Sequence, residues 1–599
     1  MSAWMPTPST SHSRSRQDGG RRCLPLVSHA WSAVAIACMV FTLSGCSLFR
    51  GDSEKDGALE DLLVVPDPPE KIGEAALPYG LTYARVQGVG AVKGLNRTGA
   101  PALPSEYRDR LIAEMKTHNV ADPDGYLESD LTALVITEAI MSPGVKRGDR
   151  LDILVTVPSR SEVKSLQGGW LMPSRLQEMR RLDVVRSSNV AVTGTGPVLV
   201  RSLHDNSGEE MQRTATILGG GVAQVDRPVG LVIRPQYQHA LLSREFAKVI
   251  NQRFYFFDGS SRRGIATARE DDFIELDVLP RYEENVHRLI AVVRAMNVQP
   301  HAGGLRGQLE SLDKKLKEPT TAADAALSLE AIGSDSVPLL VEALKTPDDE
   351  IRFYAAEALA YLDEAVAIEP LAELARTESA FRYPALKALQ GMPQNAAAQA
   401  LRGLMNDPNN EVRYGAFTAL RKRPDSADLV GGQRFGDGYY LHTIPSTADP
   451  LVAVGLGHRP EIVMFGSSFP IELTESVISK GGIVMRDDGD GKISLSRFRV
   501  GEEDQTTSVP ANIPAVCAGL SAMGAGYSDC VDVLSSLKAN HALPARFAFD
   551  PSPRALRTYY RNEENFIDPS EPPSLAPHDI TPPVPKEKTF FEKMSWWSE

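Results

Sequence analysis

Five cysteines occur in 599 residues, and three of them stand where a thiol could do chemistry. Leu43-Ser44-Gly45-Cys46 is a lipobox: small residues let a signal peptidase approach, and Cys46 supplies the thiol that is acylated. Cys517 and Cys530 are the two cysteines beyond it. In an oxidising compartment they can form a disulfide, which would add on the order of 3 kcal/mol for so short a loop if unstrained. They can equally stand as two free buried thiols, since a bond needs both Cβ atoms brought close. Asp487-Asp488-Gly489-Asp490-Gly491 resembles the start of a calcium loop, but Phe498 or Arg499 falls at the twelfth position where a bidentate acid is required, so a hairpin turn is expected. Gly88, Gly90 and Gly94 are spaced somewhat like a dinucleotide loop, yet turn-forming Asn96-Arg97-Thr98-Gly99 comes where a phosphate-binding helix should run. His-Glu-x-x-His, Gly-x-Ser-x-Gly and the phosphate loop are all missing, and the eleven histidines are dispersed. The sequence therefore nominates no catalytic residue, no metal site and no cofactor, and the chain is expected not to be an enzyme.

The segment that carries Cys46 is a delivery signal. Arg14, Arg16, Arg21 and Arg22 form a basic region ahead of the mostly apolar run Ala30 to Leu43, and residues 1–45 read as a lipoprotein signal peptide. The apolar run is about 14 residues, short of the roughly 20 that span a bilayer. Export and acylation would place the mature chain, from Cys46 onward, at the periplasmic face of a bacterial envelope, held to the membrane by its lipid. Ser47, where Asp would retain it, favours onward sorting to the outer membrane. Residues 46–78 read as a polar, acidic tether stiffened by Pro66-Asp67-Pro68-Pro69. The whole chain carries a formal charge of −13, and removing residues 1–45 takes four Arg and one Asp and leaves −16. Such a chain repels phosphate backbones, so nucleic acid is excluded as a partner.

From Tyr79 to Gly99 the chain holds five glycines, a density no long helix tolerates, and short strands joined by tight turns are expected. An amphipathic helix comes next with Tyr107, Leu111, Ile112 and Met115 on one stripe, then strands at 131–138 and 151–157. Pro158 to Glu162 has the composition of a surface turn. Helices are expected at 237–251 and 284–296, with a strand at 273–279. Residues 79–300 thus form a compact α+β module.

This module resembles the flagellar basal-body P-ring protein family. The resemblance is carried by Gly94-Leu95-Asn96-Arg97-Thr98-Gly99, by Gly148-Asp149-Arg150-Leu151-Asp152 and above all by Ser165-Leu166-Gln167-Gly168-Gly169-Trp170-Leu171. It weakens through Val190 to Gly196, Gly219 to Arg234 and Asp277 to Pro300, stops, and resumes at 512–549, which is similar to the family's closing helical pair. The resemblance implies a periplasmic protomer whose copies pack into a ring around the flagellar rod and do mechanical work. It departs from the family at Cys46, since typical members carry an ordinary cleaved signal. Gly168 and Gly169 beside Trp170 mark a place where backbone comes close to a packed neighbour, in the same protomer or in the next, and are the candidate assembly contact.

Between the two blocks the period changes. Arg352, Arg382 and Arg413 recur 30 and 31 residues apart within similar Ala- and Leu-rich segments, each preceded by turn residues such as Thr346-Pro347-Asp348-Asp349 or Asp407-Pro408-Asn409-Asn410. Residues 320–425 therefore resemble a HEAT-like α-solenoid, a class that binds proteins through an extended face. Residues 430–550 read as a C-terminal α+β domain, with strands near 439–444, 461–465, 482–486 and 492–499, and with helices capped by Asn512 and Ser528. Residues 561–599 form an acidic, Pro-rich tail expected to be disordered, ending in Phe590-Phe591 and Trp596-Trp597, which suit a docking peptide. The expected protein is a multidomain α+β chain with an inserted solenoid. Its expected partners are copies of itself, the flagellar rod or other envelope proteins, and a membrane. The alternative is an envelope scaffold unrelated to motility that holds a protein through the solenoid.

Overall fold

The computed structural model describes residues 64–561 apart from 118, 181–185, 202–211, 437, 500–502 and 560. The chain divides into Met1–Val65 and Pro66–Glu599. Of the first unit only Val64 and Val65 are described, so the signal peptide, Cys46 and most of the tether lie outside the described residues, as does the tail beyond Arg561. The second unit carries the folded domains.

Six strands close into an antiparallel barrel: Ala84–Lys93, Thr132–Met141, Arg150–Thr156, Thr214–Ala223, Arg186–Pro197 and Trp170–Arg180, the last pairing back with the first. The glycine-rich opening is one strand of ten residues rather than several short ones. Gly88 lies inside it because a Cβ there would sit 2.3 Å from the Arg175 carbonyl oxygen, so a narrow barrel admits only glycine. Positive φ appears at the ends of this stretch, at Gly80 and Gly94. The helix Glu106–Thr117 lies outside the barrel and buries Leu111 and Met115, whereas Tyr107 stays exposed.

A second layer is a four-stranded sheet in the order Ala76–Tyr79, Val229–Ile233, Phe273–Leu276 and Ala266–Ala268, covered by the helices Ala240–Arg253 and Val286–Ala295. Its first strand and the short helix Ile72–Ala75 fall within the stretch expected to be tether; Ile72, Ala75 and Ala76 are fully buried, so the fold begins before residue 79.

The solenoid comprises paired helices from Gly304–Leu316 to Asn410–Lys422. The turn residues seen in the sequence work as caps: Asp348 accepts from the Glu350 and Ile351 amides at 2.9 and 3.0 Å, and Asn409 from the Glu411 and Val412 amides at 2.9 and 3.4 Å. The recurring arginines tie each repeat to its successor. Arg352 lies 3.6 Å from Glu373, Arg382 reaches Glu411 at 2.8 Å, and the buried Arg413 donates to the Asp449 carbonyl at 2.9 Å in the next domain.

That domain holds a five-stranded mixed sheet in the order Gly432–Phe435, Tyr439–Ile444, Glu461–Phe465, Leu451–Val454 and Arg546–Phe549. The sheet is a septum. Val452, Val454, Ile462 and Met464 belong to a core shared with the barrel, while their alternates Leu451, Ala453, Val463 and Phe465 belong to a core shared with the solenoid and the four-stranded layer. A four-stranded antiparallel sheet, Val477–Ile478 to Gln505–Pro510, then leads to the helices Ile513–Ala522 and Tyr527–Ala539. Asn512 caps the first, accepting from the Ala515 amide at 3.0 Å. Ser528 does not cap the second: Gly526 holds that place, and Asp529 reaches back to its amide at 3.0 Å.

Candidate functional site

The residues that distinguish this molecule are its joints. The first unites the two blocks that the solenoid separates. Ser165-Leu166-Gln167 lies at the barrel mouth, where Thr98 donates to the Ser165 carbonyl at 2.7 Å. Gln167 donates to the Asp532 carboxylate at 3.1 Å across 365 residues of sequence. Asp532 also accepts from the Gly481 amide at 2.5 Å and the Lys480 amide at 3.2 Å. Burial raises its pKa, against these hydrogen bonds, which favour the carboxylate. Beside this tie lies a polar cavity of about 250 Å³, lined among others by Asn96, Gln167, Lys480, Arg497, Arg499 and Asp529. Val86, Ile153 and Leu171 of the barrel share one core with Val516, Leu520, Val531 and Leu534 of the closing helices.

The second joint fastens the four-stranded layer to the solenoid. Arg288 is 9% exposed and donates through Nε and Nη2 to Glu330 at 3.0 and 2.6 Å, while its Nη1 meets Glu357. Tyr282 donates to the other Glu330 oxygen at 2.6 Å and stacks on Tyr361 at 4.7 Å. Burial opposes the charge on Arg288, but the two carboxylates more than offset it and raise its pKa; burial pushes Glu357 up. At the rim Glu284 takes Lys387 and Lys422, each at 2.6 Å. Burial works against that carboxylate, yet the two ammonium groups hold its pKa down to about 2.

Among the candidates from the sequence, Cys517 and Cys530 are fully buried free thiols; Tyr439 lies 2.9 Å from the Cys530 sulfur and donates to the Cys517 carbonyl at 3.3 Å. Hydrogen bonding with Cys517, and then burial, pushes the Cys530 thiol up. The close approach at Gly169 is within the protomer, since a Cβ there would sit 2.4 Å from Val92 Cγ1, and Gly168 has φ +71 and accepts from Arg499 Nη2 at 3.4 Å through its carbonyl. Trp170 is 37% exposed and donates to Thr195 at 3.2 Å. The Asp487 to Gly491 stretch is the turn of a hairpin, Ile483–Gly489 with Lys492–Arg497. Among the described residues no three His, Cys, Asp or Glu side chains converge to hold a metal, and no helix is long and apolar enough to cross a membrane.

Sequence reading missed Arg288, Glu330, Glu357 and Asp532. The signal was there: Glu330 interrupts Ala325 to Ile332, and Glu357 sits amid Ala355-Ala356 and Ala358-Leu359, single charges on faces that must be buried.

Fold and joints define a multidomain α+β protein in which a helical solenoid is built into, rather than hung from, a β-barrel framework. Comparison with known proteins then gives the segments their kin. Residues 71–304 match the family model for the flagellar P-ring protein, and residues 309–390 match HEAT repeats. The flagellar P-ring protein of Thermotoga maritima is 25% identical over 237 residues, covering 38% of this chain and 67% of that one. The Wolinella succinogenes protein is 27% identical over 225 residues, 36% and 62% of the two chains, and the Helicobacter pylori protein 33% over 108 residues, 18% and 31%. The two family matches end at residues 304 and 390, so the likeness of 512–549 rests on its own residues and on the core it completes. P-ring proteins are structural components of the flagellum.

Proposed function

We propose that this chain is a lipid-anchored protomer of a P-ring-like assembly in the bacterial envelope, supporting the rotating rod, with no catalytic role. The observation that carries the reading is the Gln167–Asp532 tie and the core around it: the closing helical pair returns to the barrel after the solenoid, so the insertion leaves the ring-type module whole. Acylation of Cys46 would hold the protein at the periplasmic face, with Ser47 favouring the outer membrane. Cys46→Ser is expected to abolish lipid labelling and release the protein from the membrane fraction; normal labelling in that variant would overturn the anchor. Cys517 and Cys530 would close to a disulfide, their two thiols giving up two electrons and two protons to an external disulfide-bearing oxidant, and mass analysis without reductant would register the loss of two hydrogens.

The test of the reading is assembly. The mature protein should sediment as a large closed particle when membrane is present, and basal bodies from a deletion strain should lack density around the rod. A protein that stays monomeric under every such condition, beside intact basal bodies in the deletion strain, favours the second reading, an envelope scaffold that holds a protein partner through its solenoid.

A further inference from the structure

The strand Arg546–Phe549 does not end the fold. From Asp550 the chain leaves the sheet, turns at Ala555-Leu556, and lays Arg557, Tyr559 and Arg561 back over the solenoid as a strap. A Cβ at Gly415 would lie 2.6 Å from Pro553 Cγ, so the last repeat is shaped to admit the strap. Arg557 then donates to both Glu411 oxygens at 2.8 and 2.6 Å. The Tyr559 ring lies 4.7 Å from Phe381, which itself stacks on Phe353 at 4.4 Å. Arg561 donates to both Glu350 oxygens at 2.6 and 3.0 Å. Residues 557, 559 and 561 stand two apart in the sequence, and in that order they read three successive repeats in reverse. Glu350 and Glu411 occupy the same place in the repeat, two residues before Arg352 and Arg413; the middle repeat has Ala380 there and offers its aromatic ring instead. The ridge is thus acidic, aromatic, acidic at repeat spacing, and the segment that fits it is Arg-x-Tyr-x-Arg.

This hold is of a kind that can be exchanged. It is made largely of ion pairs whose arginines reach solvent, Arg561 being half-exposed and Arg557 about a quarter exposed, so salt can screen them. The path into it is short and strained, with left-handed φ values of +35 at Asp550 and +60 at the fully exposed Leu556, neither of which is glycine. A short strained hinge ahead of a self-complementary element invites transfer of that element between copies, because the contacts made within one protomer and between two are the same.

We propose that in the assembled protein the ridge of Glu350, Phe381 and Glu411 is filled by Arg557, Tyr559 and Arg561 of an adjacent copy of this chain, the closed strap being the form of the isolated protomer. A strap-to-ridge contact is heterologous, so repeating it generates a ring where the rotation closes. The inference rests on the ring reading for its biological setting, but the docking itself needs only two copies.

The test uses two full-length variants. Arg557→Glu with Arg561→Glu spoils the strap and leaves the ridge; Glu411→Arg with Glu350→Gln spoils the ridge and leaves the strap. Each alone is expected to be monomeric, and their equimolar mixture to form a 1:1 complex in sedimentation at low salt that dissociates in about 0.5 M NaCl, where the screening length falls to a few ångströms. A mixture that sediments only as monomers overturns the proposal. Helical circular dichroism checks folding, and if the ridge variant fails that check, a labelled peptide of residues 551–561 replaces it. That peptide is expected to bind the strap-spoiled variant at least about tenfold more tightly than wild type, whose own strap competes; equal binding, or none to either, overturns the proposal. The two readings fail separately. A 1:1 complex beside a wild type that never forms large particles removes the ring and keeps the docking, whereas wild-type rings unchanged by Arg557→Glu with Arg561→Glu keep the ring and remove the exchange.

Discussion

Gln167 and Asp532 stand 365 residues apart and share a hydrogen bond of 3.1 Å at the mouth of the barrel. One belongs to the Ser165 to Leu171 motif and the other to the closing helical pair, and between them the chain has built a whole solenoid. Asp532 serves both the barrel and the Lys480-Gly481 turn, so its loss should outweigh that of its partner. Gln167→Ala is expected to lower stability by about 1 kcal/mol and Asp532→Leu by about 2 kcal/mol, since the latter takes a charged acceptor from three part-buried donors at once. Urea unfolding of the two variants and the double variant gives the coupling, and a double variant that is simply additive would show that the pair does not tie the two blocks.

The Arg288 joint makes a sharper prediction, because its three charges are buried together. Arg288→Met leaves Glu330 and Glu357 facing each other without a cation and should cost about 3–5 kcal/mol. Replacing all three by apolar residues of similar size should recover most of that loss, since each charge gives up its hydration on burial. A triple variant as unstable as the single one would mean that the ionic pattern itself, and not the unpaired acids, sets the stability of the joint.

Burial holds His442 neutral. It lowers the pKa to about 4 from 6.5, with the Val430 carbonyl opposing and Arg459 and Arg421 reinforcing the shift. Between pH 6.5 and 4 the unfolded chain binds a proton that the folded chain refuses, so stability falls as pH falls through that window and the loss is complete below it. For this buried ring the span corresponds to about 3 kcal/mol. His442→Asn keeps a donor toward the Val430 carbonyl, 2.7 Å from Nδ1, and removes the titration. Its stability should be flatter than wild type between pH 6.5 and 4 in denaturant titrations; an unchanged slope there would assign the acid sensitivity to other groups.

What the sequence made legible was local. The Arg register, the caps Asp348 and Asn409, and the stop at Gly524 depend on neighbours within a turn or two, and they appear where the spacing puts them. Barrel closure depends on pairing Arg150–Thr156 with Thr214–Ala223, and no local pattern carries that register. The strand Glu461–Phe465 is buried on both faces only because two separate cores meet at its sheet. Glu330 and Glu357 stand out in the sequence as charges on apolar helix faces, but what pairs with them is not local, because Arg288 arrives from another domain. The strap looks like the edge of a Pro-rich tail, because its partners, Glu350, Phe381 and Glu411, lie about 150 to 210 residues upstream.

The glycine pair beside Trp170 separates an internal role from a lateral one. At Gly169 a side chain would strike Val92 and Leu95, so Gly169→Val should melt earlier than wild type by about 1–3 kcal/mol whether or not copies assemble. Gly168 has positive φ, which Asn tolerates better than a branched residue, so Gly168→Asn tests the same place with less strain. Trp170 is the member that faces outward: its ring is over a third exposed and its hydrogen bond to Thr195 lies at the surface. An exposed aromatic with a polar tip is the kind of side chain that anchors an interface. Trp170→Ala should therefore unfold within about 1 kcal/mol of wild type, as surface changes generally do, while losing the proposed large assembly in sedimentation. If Trp170→Ala assembles as wild type does, the motif serves only the barrel mouth, and the proposed contact between copies rests on the strap and ridge without it.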